Sequence, residues 1–120
     1  MTDKADVLRY IKDFHCGVNR AVSRDDLVSN FLEQDRVIRK LINELRNDGY
    51  PIVSNSKGSG YWYFNDTPTD REEAEIMIAE AKSRIREIRL SIVAVRKALS
   101  ESQGQQVMFK EPVEQDSIFG

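Results

Sequence analysis

The stretch that decides the fold is GYPIVSNSKGSGYWYF, residues 49–64. Two segments rich in aromatic and β-branched side chains, YPIV and YWYF, flank the polar segment SNSKGSG. Val, Ile, Tyr, Phe and Trp favour strands, and a polar, glycine-bearing segment between two such runs is typical of a hairpin loop. The stretch therefore predicts an antiparallel β-hairpin whose loop contains Lys57.

Three amphipathic helices are predicted ahead of this hairpin. Apolar side chains recur there at intervals of three and four residues, as they do along one side of an α-helix. The predicted helices cover residues 3–15, 24–32 and 35–48.

Local signals mark the ends of these helices. Ser23 with Asp26 forms a capping pattern at the start of the second helix, and Asp35 is the expected N-cap of the third. Gly49 is expected just after the third helix, where a left-handed residue commonly ends a helix. Residues 19–23 predict a short extended segment. The order is helix, short strand, helix, helix and hairpin.

This order, with the segment DRVIRKLINELRNDGYPIVSNSKGSGYWYF at residues 35–64, is similar to the winged helix-turn-helix domains of biotin-ligase-type repressors and small bacterial and phage regulators. The resemblance covers about residues 4–64. It implies a mainly α fold with a small β-hairpin, a third helix that enters the major groove of double-stranded DNA, and a hairpin loop that serves as the wing. That family usually has a glycine in the turn before the third helix, where this chain has FLEQD.

Candidate DNA-binding residues lie on the third helix and in the wing. If the apolar side of the helix points inward, the outer side carries Arg36, Arg39, Lys40, Asn43 and Asn47. Arg can bond guanine, Asn can bond adenine, and Lys can contact phosphate. A solvated helix face and a hairpin tip without a partner are the alternatives. The expected DNA-binding residues are Arg36, Arg39, Lys40, Asn43, Asn55 and Lys57.

The second strand is apolar on both sides. Tyr61 and Tyr63 alternate with Trp62 and Phe64, so the two pairs point to opposite faces of the hairpin. If the tyrosines fill the core, then Val53, Trp62 and Phe64 form a second apolar patch that another element should cover. The helix that follows is the expected cover.

A long helix is predicted after Pro68, from a capping box of Thr69 and Glu72 to about Leu99. Its apolar residues follow a 4-3 repeat over more than three heptads, which is typical of a coiled coil and favours a homodimer. Packing of this helix on its own domain is the alternative. The a positions are Ile78, Ile85, Ile92 and Leu99, and the d positions are Ala74, Ala81, Ile88 and Val95.

Charge along this helix changes sign. Residues 70–80 carry a net charge of −4 and residues 82–97 a net charge of +5. An antiparallel homodimer would bring opposite charges together, so we expect that arrangement. The same distribution also suits the helix dipole, and the basic residues could instead contact DNA.

The last part of the chain, residues 101–120, is expected to be a flexible acidic tail. Two short pieces of it have a glutamine followed after two residues by an aliphatic side chain and Phe. They are similar to peptides that bind the hydrophobic pocket of bacterial sliding clamps, and packing on the fold is the alternative. These residues are Gln105, Met108 and Phe109 in the first piece, and Gln115, Ile118 and Phe119 in the second.

The composition and the absence of certain motifs argue against several classes of function. The 120 residues have a net charge of −2 and an apolar content of 40%, with one cysteine, Cys16, beside one histidine, His15. A structural metal site needs more ligands, and no phosphate-binding loop or catalytic constellation occurs, so we expect no cofactor, no metal and no enzymatic activity. Without an 18-residue apolar run or a signal peptide, no membrane contact is expected and the expected location is cytoplasmic.

The resulting prediction has three parts. Residues 1–66 form the winged-helix DNA-binding domain, residues 67–100 the dimerisation helix and residues 101–120 the tail. The predicted function is a dimeric DNA-binding protein, either a bacterial or phage transcriptional regulator or a replication accessory. The alternative is a protein-interaction module or scaffold that does not bind DNA.

Overall fold

The computed structural model describes residues 2–103. It is mainly α with a small antiparallel β-hairpin and a long C-terminal helix, which confirms the predicted fold class. The order of elements is compatible with a winged helix followed by a helix. The elements are α1 (Lys4–Phe14), a 3₁₀ turn η1 (Val18–Arg20), α2 (Arg24–Phe31), α3 (Asp35–Asn47), β1 (Ile52–Ser54), β2 (Tyr61–Tyr63) and α4 (Pro68–Ser102).

The second helix begins as predicted and ends one residue early. Ser23 Oγ accepts a hydrogen bond from the Asp26 backbone N–H at 3.0 Å, which confirms the capping pattern. α2 then stops at Phe31 because Leu32 adopts the left-handed conformation, with φ of 53°. Leu32 thus occupies a position that usually favours glycine, and its side chain is 89% exposed.

The N-cap prediction for α3 was wrong. Gln34 is the N-cap, without a side-chain capping bond, and Asp35 is the first helical residue. The other end confirms the prediction, since Gly49 has a φ of 104°. Its N–H donates to Arg46 O at 3.0 Å and the Tyr50 N–H to Leu45 O at 3.1 Å, the pattern of a Schellman motif.

The three helices and one face of the hairpin enclose the hydrophobic core. Tyr61 and Tyr63 pack against this core, as predicted. Trp62 and Val53 on the opposite face are also buried and Phe64 is partly buried, so most of the second apolar patch is covered within the single chain. The buried core residues are Val7, Ile11, Val22, Leu27, Ile38, Ile42, Leu45 and Ile52.

The segment between α1 and α2 is only partly extended. Residues 18–20 form η1 rather than the predicted strand, and Val22 then forms an isolated antiparallel bridge with Tyr61. The two backbones approach closely because Gly60 has no side chain. A Cβ at Gly60, where φ is 103°, would lie 2.0 Å from Val22 O. This glycine therefore fixes the start of β2 against Val22.

The predicted capping box of α4 was also wrong. Thr67 precedes the helix, Pro68 is its first residue, and Thr67 Oγ1 accepts a bond from the Asp70 N–H at 3.2 Å. The Asp70 carboxylate is 1% exposed and accepts bonds from the Val18 and Asn65 N–H groups, each at 2.9 Å. Asp70 thereby attaches the first turn of α4 to the start of η1 and to the segment after β2.

Two compact units can be distinguished along the chain. The first ends at Ile78 and the second begins at Ala79, so the boundary lies inside α4. The first turns of α4 therefore belong to the same unit as the three helices and the hairpin. Within residues 2–103, no helix has both the length and the apolar character needed to cross a membrane.

Candidate nucleic-acid interface

The exposed side of α3 carries cationic and amide side chains. Ile38, Ile42 and Leu45 are buried beneath it, and this amphipathic pattern fixes which residues face outward. All the residues predicted on the outer side are exposed. We call them the α3 face: Arg36, Arg39, Lys40, Asn43 and Asn47.

An acidic residue lies at the N-terminal end of the α3 face. Asp35 pairs with Arg24 of α2 at 2.8 Å and with Arg39 at 3.2 Å, and all three side chains are about half exposed. Exposed ion pairs contribute about 0–1 kcal/mol, so another anion can compete for either guanidinium at low cost. Asp35 thus positions Arg24 and Arg39, and the three side chains together keep a net positive charge.

The remaining α3 face residues are less engaged. Arg36 Nε donates to Gln34 Oε1 at 3.0 Å. The side chains of Lys40 and Asn43 make no hydrogen bond or ion pair within the described part of the chain. A cation and an amide three residues apart are therefore available on one helix face for phosphate and base edges.

The hairpin loop holds itself in shape. Asn55 Nδ2 donates to Ser59 Oγ and Asn55 Oδ1 accepts from the Ser59 N–H, both at 3.2 Å. The Asn55 amide, predicted as a DNA-binding group, is thus used within the loop. Gly58, with φ of 84°, has no neighbouring atom within 4 Å of a Cβ placed there, so the loop tip is open to a partner.

Lys57, the cation of the hairpin loop, pairs with an acidic residue of α4. Its Nζ lies 3.7 Å from Glu73 Oε1 within the first unit. The Lys57 side chain is 73% exposed, whereas that of Glu73 is 12% exposed. The sequence gives no local sign of this pair, because the two residues are sixteen positions apart. A phosphate that approaches Lys57 therefore competes with the Glu73 carboxylate.

A polar groove of about 380 Å³ lies between the start of α2 and the hairpin loop. Its lining residues include two glycines, several residues with hydroxyl groups and the oppositely charged Arg24 and Asp25. Such a lining suits a phosphate-bearing backbone better than an apolar ligand. The lining residues are Ser23, Arg24, Asp25, Ser54, Asn55, Ser56, Gly58, Gly60 and Tyr61.

Arg46 connects α3 to the hairpin and was not among the predicted site residues. Its Nε donates to Ile52 O at 2.8 Å and one terminal nitrogen donates to Ser54 Oγ at 3.0 Å. Burial lowers the pKa of the Arg46 guanidinium. Arg46 follows the buried Ile42 by four residues, so the helical period alone could have predicted that it lies at the edge of the buried side of α3. Arg46 therefore fixes the α3 face relative to β1.

The predicted dimerisation residues lie on one stripe of α4. Ile78, Ile88, Val95 and Leu99 are each more than half exposed, and Ile92 is 40% exposed. Ala81 and Ile85 are partly buried. The predicted tail residues, from Gln105 to Phe119, lie outside the residues that the structure describes.

In residues 2–103 no group of three or more His, Cys, Asp and Glu side chains could hold a metal ion. Comparison of the chain with protein-family models, with curated proteins and with solved structures gives no match. The functional interpretation therefore depends on the geometry and chemistry of this chain.

Proposed function

We propose that the N-terminal part of this chain is a winged helix-turn-helix domain that binds double-stranded DNA. In this proposal α3 enters the major groove and the β1–β2 loop is the wing. The observation that carries the proposal is the α3 face, where three cations and two amides are exposed on a helix whose opposite side is buried. This combination suits base edges and phosphates.

Neighbouring features support this role. The Val22 bridge to Tyr61 adds a third short extended segment to the hairpin, the arrangement expected of a winged helix. The polar groove beside Arg24 continues the candidate surface from α2 to the wing. Each neutralised phosphate makes the affinity more dependent on salt, with a slope of about −0.9 per contact.

One copy of the domain offers few cations, so its affinity should be low. We propose that the chain works as a homodimer joined through the apolar stripe of α4, because a second binding unit on the same assembly raises the overall affinity. Such a protein would act in the cytoplasm of a bacterium as a host or phage transcriptional regulator or as a replication accessory. The two clamp-like peptides of the tail favour the replication role on sequence grounds.

A second candidate function is binding of another protein. Two observations favour it: Asp35 introduces a negative charge at the end of the α3 face, and Leu32 beside it exposes 89% of an apolar side chain. A protein surface could use both groups, whereas DNA would repel the first. The DNA-binding measurement below separates the two functions.

The test is the binding of a labelled random-sequence duplex by the full chain at low salt, followed by fluorescence anisotropy. The triple variant Arg36→Ala/Arg39→Ala/Lys40→Ala should bind at least about tenfold more weakly, since each cation contributes about 1 kcal/mol or more to such contacts. The matched control removes three exposed cations from α1 and η1, in Arg9→Ala/Lys12→Ala/Arg20→Ala. It should bind nearly as well as the wild type. Equal losses in both variants, or no wild-type binding at low salt, would contradict the proposal.

A further inference from the structure

The apolar stripe of α4 has more exposed surface than a single chain would be expected to leave uncovered. Five of its residues are between 40% and 62% exposed, and they recur over more than three heptads. Stripes of this spacing and length are covered by another helix in coiled coils. The stripe consists of Ala74, Ile78, Ala81, Ile85, Ile88, Ile92, Val95 and Leu99.

We propose that a second copy of this chain covers the stripe in an antiparallel orientation and in one register. The inference depends on the homodimer proposed above and specifies how its two helices meet. In antiparallel coiled coils an a residue faces a d residue of the other helix. Ile78 then faces Val95 of the partner subunit, and Ile85 faces Ile88 of the partner subunit. Every residue of the stripe has a counterpart in this register.

Side-chain volume favours this orientation. Ala74 faces Leu99 of the partner subunit, and Ala81 faces Ile92 of the partner subunit, so each small residue meets a large one. In a parallel pair Ala74 and Ala81 would each face their own copy, and two layers would be underfilled. Interiors pack at high density, and opposing large and small side chains fill the layers evenly.

The charges that flank the stripe favour the same orientation. In the antiparallel register the e position Glu75 lies beside Arg96 of the partner subunit, and this opposite-charge pair occurs twice per dimer. The same register also places Lys82 beside Arg89 of the partner subunit, and this like-charge pair is unfavourable. A parallel pair has no opposite-charge pair at the corresponding g and e positions, and it brings Arg84 beside Arg89 of the partner subunit.

Single cysteines can test the register in the full chain carrying Cys16→Ser. Ile78→Cys and Val95→Cys chains are oxidised separately and as a mixture. We expect a disulfide-linked dimer only in the mixture, because two Val95 positions would be about 25 Å apart and a disulfide needs Cα atoms within about 7 Å. Crosslinking of Val95→Cys with itself would contradict the register, and so would the absence of any crosslinked dimer.

A charge exchange gives a second test that needs no cysteine. Glu75→Arg and Arg96→Glu should each weaken self-association about fivefold or more, measured by sedimentation, since every dimer loses two attractive pairs. The combined variant should recover wild-type association, because it restores both pairs at the same net charge. Failure to recover would contradict the pairing. Neither result depends on DNA, so failure of DNA binding by the α3 face would be detected separately.

Discussion

The first unit and the distal part of α4 differ in how their apolar side chains are covered. In the first unit Ile11, Ile38 and Trp62 have no exposed surface. In the distal part of α4, Ile88, Val95 and Leu99 are each more than half exposed. Burial of apolar surface is the main source of folding free energy, so the first unit specifies its own fold. The exposed apolar side chains in the distal part of α4 can still gain free energy by becoming buried in an association.

Substitution of one buried and one exposed residue should give the largest difference between the two regions. Trp62→Ala should lower the free energy of unfolding by about 3–5 kcal/mol, because it removes a fully buried aromatic side chain and leaves a cavity. Val95→Ala should change the stability of the first unit by less than about 0.5 kcal/mol and weaken self-association instead. Urea unfolding followed by circular dichroism and sedimentation equilibrium measure the two effects. A Trp62→Ala loss below about 1 kcal/mol would show that the patch is not part of the core.

Two glycines of the hairpin loop differ in how closely other atoms surround them. Gly60→Ala should cost about 3 kcal/mol, since the new Cβ would collide with Val22 O and the φ of 103° would be strained. Gly58→Ala should cost only about 1 kcal/mol, because its φ is also positive but no atom lies within 4 Å. Thermal unfolding of both variants measures the difference, and equal losses would be the contrary result.

The turn between α2 and α3 offers a smaller, stabilising change. Leu32→Gly should raise the free energy of unfolding by about 1 kcal/mol, because glycine adopts the left-handed conformation without the strain of a side chain. Asn30→Gly is the control, since this exposed residue lies inside α2 and glycine there should cost about 1 kcal/mol. A destabilised Leu32→Gly protein would mean that the Leu32 side chain contributes to the fold.

The smallest expected effect concerns Lys57 in the hairpin loop. Glu73→Gln removes the partner of Lys57, so the full chain should bind a duplex about two- to fivefold more tightly, as expected when a competing carboxylate no longer attracts an exposed lysine. Glu72→Gln removes the same charge from an exposed neighbour and should change the affinity less. Equal gains in the two variants would indicate a general charge effect rather than competition for Lys57.

Local patterns were sufficient for much of the fold. The apolar period placed the helices, and the Gly49 and Ser23 signals marked helix ends that depend only on neighbouring residues. Strand alternation predicted the two faces of the hairpin, because a period of two fixes side-chain direction. Tyr61 on one face and Trp62 on the other are buried accordingly.

The wrong predictions involve partners far away in the sequence. Two overlapping capping patterns occur at the start of α4, one of Thr67 with Asp70 and one of Thr69 with Glu72. The structure contains the first, in which Thr67 caps the Asp70 N–H. The Asp70 carboxylate also accepts a bond from the Val18 N–H, fifty-two residues away, and this distant contact favours that start of the helix. Asp35 pairs with Arg24 of α2 and does not cap α3. At the candidate site, the helical period predicted the exposed α3 face, but it could not show that Glu73 would pair with Lys57.

The central claim, that the α3 face binds duplex DNA, is tested most directly by the salt dependence of binding. The slope of log Kd against log salt should be steeper for the wild type than for Arg36→Ala/Arg39→Ala/Lys40→Ala by about 2–3, since each lost phosphate contact changes it by about 0.9. The α1 and η1 control variant should keep the wild-type slope. Identical slopes for all three proteins would contradict the claim.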